Sequence, residues 1–427
     1  MLQNEQMKHN RKEAAKRRKR KQKILVLFLA AVAIIAGVYA LPPALESGDL
    51  QQPETVPAED AAAMPEEAVS LSLVCVGDIM VHKPQIASQY DSKSGTYNYD
   101  NNFEYVKSYI EDADLALCNV ETTFAGGTPS GYPSFNAPDA LADALENTGF
   151  DVAVTSNNHL YDKGFSGMKR TLHVLRNAGL ATSGTRLPWE KNYAMVEVNG
   201  LKIAVIAYTY ETPSSSGRTA INSAYITEEA EPLINSFNYE TLDEDLKKVE
   251  ASISEAEGEG ADLVVCYYHW GEEYQRSPNQ WQKYIAQKTV NMGADVIFGS
   301  HAHVLQSVDM LTNEETGQEV PVFYSMGNFL SNQRTETLNN RYTEQGMIAR
   351  VNIEFMKSRK EIVSVEMDAL RSWVDKYYNG KKDVYAIIPL DDNIEENEVL
   401  KASGHLNRAI QASEDITAVI GDNYVWK

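Results

Sequence analysis

The sequence predicts an α/β domain of stacked layers, tethered behind a single transmembrane helix. Three observations carry that prediction. Short apolar runs alternate with amphipathic stretches along most of the chain, the rhythm of strands and helices packed in layers. Five of the apolar runs end in polar residues of metal-binding type. And a cluster of Lys and Arg near the start precedes 18 residues, 24–41, without a charge.

The N-terminal elements come first. Residues 1–23 carry ten basic side chains and read as a cytoplasmic segment. Residues 24–41 would rise about 27 Å as a helix, close to the apolar thickness of a bilayer, and read as a single-pass anchor. The basic side stays in the cytoplasm, so the rest of the chain is expected outside it, at the cell membrane. A cleaved signal peptide is the alternative, since Val38-Tyr39-Ala40 offers a small-x-small cleavage site. Residues 42–70, rich in Pro, Glu, Ala and Gln without hydrophobic period, read as an extended acidic linker. The folded domain is expected over 71–388, followed by an acidic tail, 389–427, to which the sequence assigns no role.

Charge narrows the function. Formal net charge is −21, and beyond residue 23 there are 29 basic against 58 acidic side chains. A body this acidic excludes nucleic acid as a partner class. It also repels a polyanion unless bound cations invert the field locally. Three cysteines cannot all pair, and Cys75, Cys118 and Cys266 sit in separate apolar runs, where they read as buried small hydrophobes.

Within the domain, strands are expected at 73–76, 115–118, 152–154, 201–208, 263–267, 294–298, 322–325, 347–355 and 362–369. Helices are expected at 103–113, 138–147, 167–177, 242–256 and 279–292, three of them closed by Gly149, Gly179 and Gly293. The last two strands follow one another without a helix, which predicts an antiparallel end to the sheet. Two polar insertions, 213–239 and 331–345, follow strands and are candidate substrate loops or plain surface loops. Strands of an open α/β sheet deliver their ligands at the carboxyl ends. There the sequence places Asp78, Glu121, Asn158 with His159, His269, and the pair His301 and His303. Two hard divalent ions need a bridging carboxylate, a few neutral nitrogen ligands and open positions, and this set supplies them. His82, four residues after Asp78, is a further candidate ligand. His159 is placed as a general acid, with Asp162 orienting it. Trp270 is a candidate wall of the site and Glu272 a candidate support, or merely solvated. His9, His173 and His405 read as bystanders.

The motifs Val76-Gly77-Asp78, Asn119-Val120-Glu121, Ser156-Asn157-Asn158-His159 with Asp162 and Gly164, His269-Trp270-Gly271 with Glu273, Gly299-x-His301-x-His303 and Ser325-Met326-Gly327-Asn328-Phe329 together resemble one family. It is that of the CapA-like poly-γ-glutamate capsule biosynthesis proteins, relatives of the calcineurin-like metallophosphoesterases. The likeness runs over about residues 71–369 in order. It implies a four-layer α/β/β/α sandwich with the site at the sheet edges and two divalent ions of Mn, Fe, Zn or Mg type. It also implies a role in making, exporting or attaching an anionic polymer, beside a membrane polymer synthase. Against the wider superfamily the chain departs twice: the opening Asp-x-His becomes Asp78 with His82 at a longer spacing, and the bridging Asp becomes Glu121. Two other functions fit the same residues: a surface phosphoesterase acting on a phosphate ester, and a non-catalytic polymer-binding or scaffold protein.

Overall fold

The computed structural model describes residues 68–214 and 216–426. The expected cytoplasmic segment, the anchor at 24–41 and nearly all of the linker lie outside the described residues. Among the described residues no helix is long and apolar enough to cross a membrane.

The chain lays down one sheet, then a second, then returns to the first. Strands β1 (Val69–Ile79), β2 (Leu115–Val120), β3 (Val152–Val154) and β4 (Ala181–Ser183) run parallel in the first sheet. Strands β5 (Ala194–Val198), β6 (Leu201–Tyr210), β7 (Ser236–Phe237), β8 (Leu263–His269), β9 (Val296–Ser300), β10 (Val308–Thr312) and β11 (Glu319–Phe323) form the second, in the order β7-β6-β8-β9-β11-β10 with β5 on β6. Strand β12 (Asn328–Leu330) then pairs with β1, and β13 (Gln345–Met356), β14 (Glu361–Tyr378) and β15 (Asp383–Pro389) extend the first sheet beyond β1 in antiparallel fashion.

Side-chain alternation along the strands sorts the apolar residues into layers. Leu73, Cys75, Leu117 and Val154 of the first sheet meet Val205, Val265, Tyr267 and Phe298 of the second in the central core. The alternate residues Val74, Val76, Ala116 and Cys118 face outward to Leu141 and Leu145 of α1 (Ala140–Thr148) and Leu175 of α2 (Gly164–Ala178). On the far side Ala204, Ile206, Cys266 and Ile297 pack against Leu246 and Ile253 of α3 (Leu242–Gly258) and Ile285 and Val290 of α4 (Gln280–Asn291). Helix, sheet, sheet, helix is the mixed α/β layering expected. Because the strands are buried on both faces, they read in sequence as continuous apolar runs. The three cysteines are free and buried, in three different layers, so none can reach another across the sheet that separates them.

The structure departs from the expected elements in two places. The helix expected at 103–113 is broken into short turns at Asp100–Phe103 and Lys107–Glu111. The segment after 388 is part of the domain. Its helices α5 (Glu398–Ser403) and α6 (Leu406–Ile420) bring Leu400, Ala409, Ala412, Ile416 and Ile420 onto the same core as Trp373, Ala386 and Ile388. Strands β13 to β15 would otherwise leave that face bare.

Candidate metal centre

The same alternation that builds the core delivers the site. Leu115 and Leu117 point inward on β2, so Asn119 and then Glu121 continue on the inward side past the strand end. Leu263, Val265 and Tyr267 do the same on β8 and bring His269 inward; Val296 and Phe298 on β9 bring Ser300. Asp78 needs an extra device. Val74 and Val76 face outward, and plain alternation would turn Asp78 out with them. The register of β1 shifts between Val76 and Asp78, a bulge that reverses the parity, so Ile79 faces outward and Asp78 inward. Gly77 makes this bulge possible: a Cβ there would lie 2.0 Å from the Gly327 carbonyl oxygen.

The carboxyl ends of both sheets therefore meet, and Asp78, Glu121, Asn158, His269, His301 and His303 are all buried there. His269 Nε2 lies 3.0 Å from Asn158 Oδ1, 3.1 Å from His301 Nδ1 and 3.7 Å from Glu121 Oε1. His303 Nδ1 lies 2.9 Å from Asp78 Oδ2, and its Nε2 is 3.8 Å from Glu121 Oε1. Asp78, Glu121 and His303 each offer a ligand atom within one 4.8 Å group. Glu121 Oε1 thus faces His269, which meets Asn158 and His301, and also His303, which meets Asp78. Asn119 Nδ2 at 2.8 Å and the Ser300 hydroxyl both donate to Asp78 Oδ1 and hold it in place.

The residues fit a cation. Both oxygens of Glu121 are buried without a hydrogen bond. A carboxylate so placed is costly unless a cation or proton compensates it. Burial, with the charge of Asp78 beside it, pushes the Glu121 carboxyl well above its ordinary range. Burial also pulls His269 down to about 3 and His301 well below its ordinary value, so both imidazoles are neutral and free to ligate. Burial opposes ionisation of Asp78, but the hydrogen bond and charge of His303 outweigh it and hold that carboxyl below its usual range. His301 and His303 adopt φ of 103° and 57°. Left-handed backbone at a non-glycine residue costs of order 1–3 kcal/mol and collects at functional sites.

His159 is buried beside this group. Its Nδ1 is 2.8 Å from Asp162 Oδ2, and Asp162 also accepts the Phe135 N–H at 2.6 Å. An acceptor-only Asp162 fixes the proton on Nδ1 and leaves Nε2 as the working nitrogen. His82 is half-buried near His303 and His159: burial first, and then their charge, pull its imidazole down to about 4. Its Nδ1 sits 3.3 Å from both the Asn332 N–H and Gln85 Oε1, and its ring meets Phe135 edge-on at 5.1 Å. Trp270 lies in the core, stacked on Tyr268 and donating to the Tyr324 carbonyl, so it is no wall of the site; Glu272 is exposed. His405, read as a bystander, binds the buried Asp375 at 2.6 Å.

The structure adds aromatic residues to the mouth. Tyr210 lies 4.8 Å from the His301 ring, Tyr274 6.1 Å from His303, and Phe135 4.7 Å from His159. Nothing in the alternation distinguishes them from core aromatics. Of the two polar insertions, 331–345 reaches the site at its start, where Gln333 bonds Asn328 and the Tyr274 hydroxyl. Its arginines do not: Arg341 pairs with Asp415 of α6, and Arg334 lies buried near Glu336 and Glu344.

Residues 72–333 match the model of the bacterial capsule synthesis protein family PGA_cap. The chain belongs to that family. The PGA_cap match takes in every converging residue from Asp78 to His303, whereas the antiparallel extension and α6 lie beyond it. Among curated relatives, the capsule biosynthesis protein CapA of Bacillus anthracis is 30% identical over 319 residues, 72% of this chain and 68% of that one. The PGA biosynthesis protein CapA of Bacillus subtilis strain 168 is 29% identical over 272 residues, 62% of this chain and 64% of the relative. Solved structures with a similar chain trace include a phosphatase from Mycoplasma pneumoniae, 14% identical with a TM-score of 0.39 over 71% of this chain and 94% of that one. A Candida albicans 5'-nucleotidase is 11% identical with a TM-score of 0.36, covering 82% of this chain and 58% of the other.

Proposed function

We propose that this chain is a membrane-anchored, extracytoplasmic protein of the capsule biosynthesis family that acts on an anionic polymer, poly-γ-glutamate or one of like charge, during its synthesis, export or attachment. The observation that carries the reading is Glu121: a buried carboxylate without a hydrogen bond, set among Asp78, His269 and His303. Asp78 and His303 would hold one divalent ion, and Asn158, His269 and His301 the other, with Glu121 between them. The donors are oxygen and imidazole nitrogen with no thiolate, which suits Mn, Fe, Zn or Mg. Such ions act as Lewis acids on a phosphoryl or acyl oxygen and supply the positive charge that an acidic body lacks. The chain's own residues do the rest. Asn119 and Ser300 orient Asp78, Asp162 sets the His159 tautomer, and His159 Nε2 is placed to pass a proton to a leaving oxygen.

The basic cluster and the charge-free span at 24–41 support anchoring with the domain outside, close to a membrane polymer synthase. The His159–Asp162 pair favours a second reading, a metal-dependent phosphoesterase. The two part in one experiment with the purified full chain, given either the anionic polymer or a generic phosphodiester with each divalent ion in turn. Metal-dependent binding or cleavage of the polymer without phosphodiester turnover supports the first reading. Phosphodiester hydrolysis with no response to the polymer supports the second.

A further inference from the structure

His82 stands beside the metal centre without touching its ligands. Ligands of one ion approach one another to within about 4 Å, since each metal–ligand bond is about 2 Å long. Approaches of that kind link Asp78, Glu121, Asn158, His269, His301 and His303. Among the described residues His82 makes none with any of them; its contacts are Gln85, Asn332 and Phe135. Yet it is near enough for the charges of His303 and His159 to act on its ring.

One packed unit carries His82 and His159 together. Both imidazoles cross the Phe135 ring close to a right angle, His82 at 5.1 Å and His159 at 4.7 Å. The Phe135 N–H and His159 Nδ1 share one acceptor, Asp162 Oδ2, and the Ser134 hydroxyl donates to the Asp162 carbonyl at 3.0 Å. The same loop is pressed onto His82, because a Cβ on Gly131 would lie 2.6 Å from the Lys83 nitrogen and 2.8 Å from His82 Cα. Packing, with no metal needed, therefore sets the spacing of the two imidazoles.

The two rings are wired in opposite senses. His159 keeps its proton on Nδ1, facing Asp162, and leaves Nε2 bare. His82 Nδ1 receives the Asn332 N–H at 3.3 Å, and a backbone N–H can only donate. Gln85 Oε1, also 3.3 Å from that nitrogen, already accepts the His82 N–H at 2.8 Å. A neutral His82 with Nδ1 so engaged carries its proton on Nε2. His82 is half-buried, whereas the ligands behind it are buried.

We propose that His82 Nε2–H donates a hydrogen bond to an anionic oxygen of the group bound at the metal centre, across Phe135 from the His159 nitrogen that passes the proton. This rests on the metal-centre reading above. As a neutral donor, His82 stabilises negative charge on that oxygen without giving up its own proton, the part that an oxyanion hole plays. His82 is then a substrate-binding residue and not a metal ligand.

The test compares the purified full chain, loaded with Mn, with His82→Asn and His82→Gln. An Asn side chain reaches only as far as Nδ1 and keeps an acceptor for the Asn332 N–H, whereas a Gln side chain carries an N–H as far as Nε2. Elemental analysis gives the metal content, and calorimetry gives the affinity for inorganic phosphate and for acetate. His82→Asn should keep its metal and bind the probe roughly ten- to a hundredfold more weakly, the range for a hydrogen bond to a charged group. His82→Gln should restore most of that affinity, and the probe that binds identifies the group as phosphoryl or acyl. Equal affinity in the parent and a folded His82→Asn overturns the inference, as does an equal loss in both variants or a metal-loaded parent that binds neither probe; each leaves the metal centre standing. Loss of metal from a folded His82→Asn makes His82 a ligand and overturns it likewise. A parent that takes up no divalent ion overturns the metal-centre reading, and this inference with it.

Discussion

At the scale of the residue, His159 and Asn158 are neighbours with different duties. Asn158 Oδ1 faces the His269 nitrogen inside the ligand set, whereas His159 is tied to Asp162 outside it. His159→Ala should therefore lower turnover by about 10²–10⁴-fold while metal content holds. Asn158→Ala should show first as reduced metal occupancy. Equal metal loss in both variants would make His159 a structural neighbour. Glu121 sets the pH behaviour. Its folded-state value is raised, so its contribution to metal-free stability is present below its ordinary value and is lost as pH rises through the raised one. A divalent ion replaces that proton, and His269 and His301 are held neutral by burial, so the gain in melting temperature on adding metal should widen as pH rises above the ordinary carboxylate range. A gain independent of pH would remove Glu121 from the centre.

At the scale of the element, β1 depends on its bulge. Gly77→Ala drives a Cβ into a backbone oxygen that cannot rotate away, and urea unfolding should show a loss of roughly 2–5 kcal/mol or no folded protein. Wild-type stability in this variant would mean that Asp78 turns inward by other means. Glu121 and His269 were legible in the sequence because each stands an even number of residues beyond inward-facing apolar ones. Asp78 was legible from its place just after an apolar run, although alternation alone points it the wrong way. The aromatic mouth was hidden because Tyr210 and Phe135 look like core residues until distant strands are brought together. The last helix did carry a signal: Ala409, Ala412, Ile416 and Ile420 repeat at helical spacing, but acidic flanks masked it. Ile416→Ala should cost about 2–5 kcal/mol, as for other buried aliphatic truncations. A change under half of that would detach α6 from the core.

At the scale of the whole molecule, the acidic domain is expected outside the cytoplasm on a single anchor. Protease added to intact, wall-stripped cells should degrade it, and protection of the domain would reverse that orientation. Metal uptake at a two-ion centre shared through Glu121 is what the proposed function requires. It is tested most directly by elemental analysis of the purified full chain beside the His301→Ala/His303→Ala double variant, with circular dichroism to show that both are folded. Two divalent ions per parent chain are expected, and their loss from a folded double variant. A folded parent that takes up no divalent ion from saturating Mn, Fe, Zn or Mg, or a double variant that keeps the full two, would contradict it.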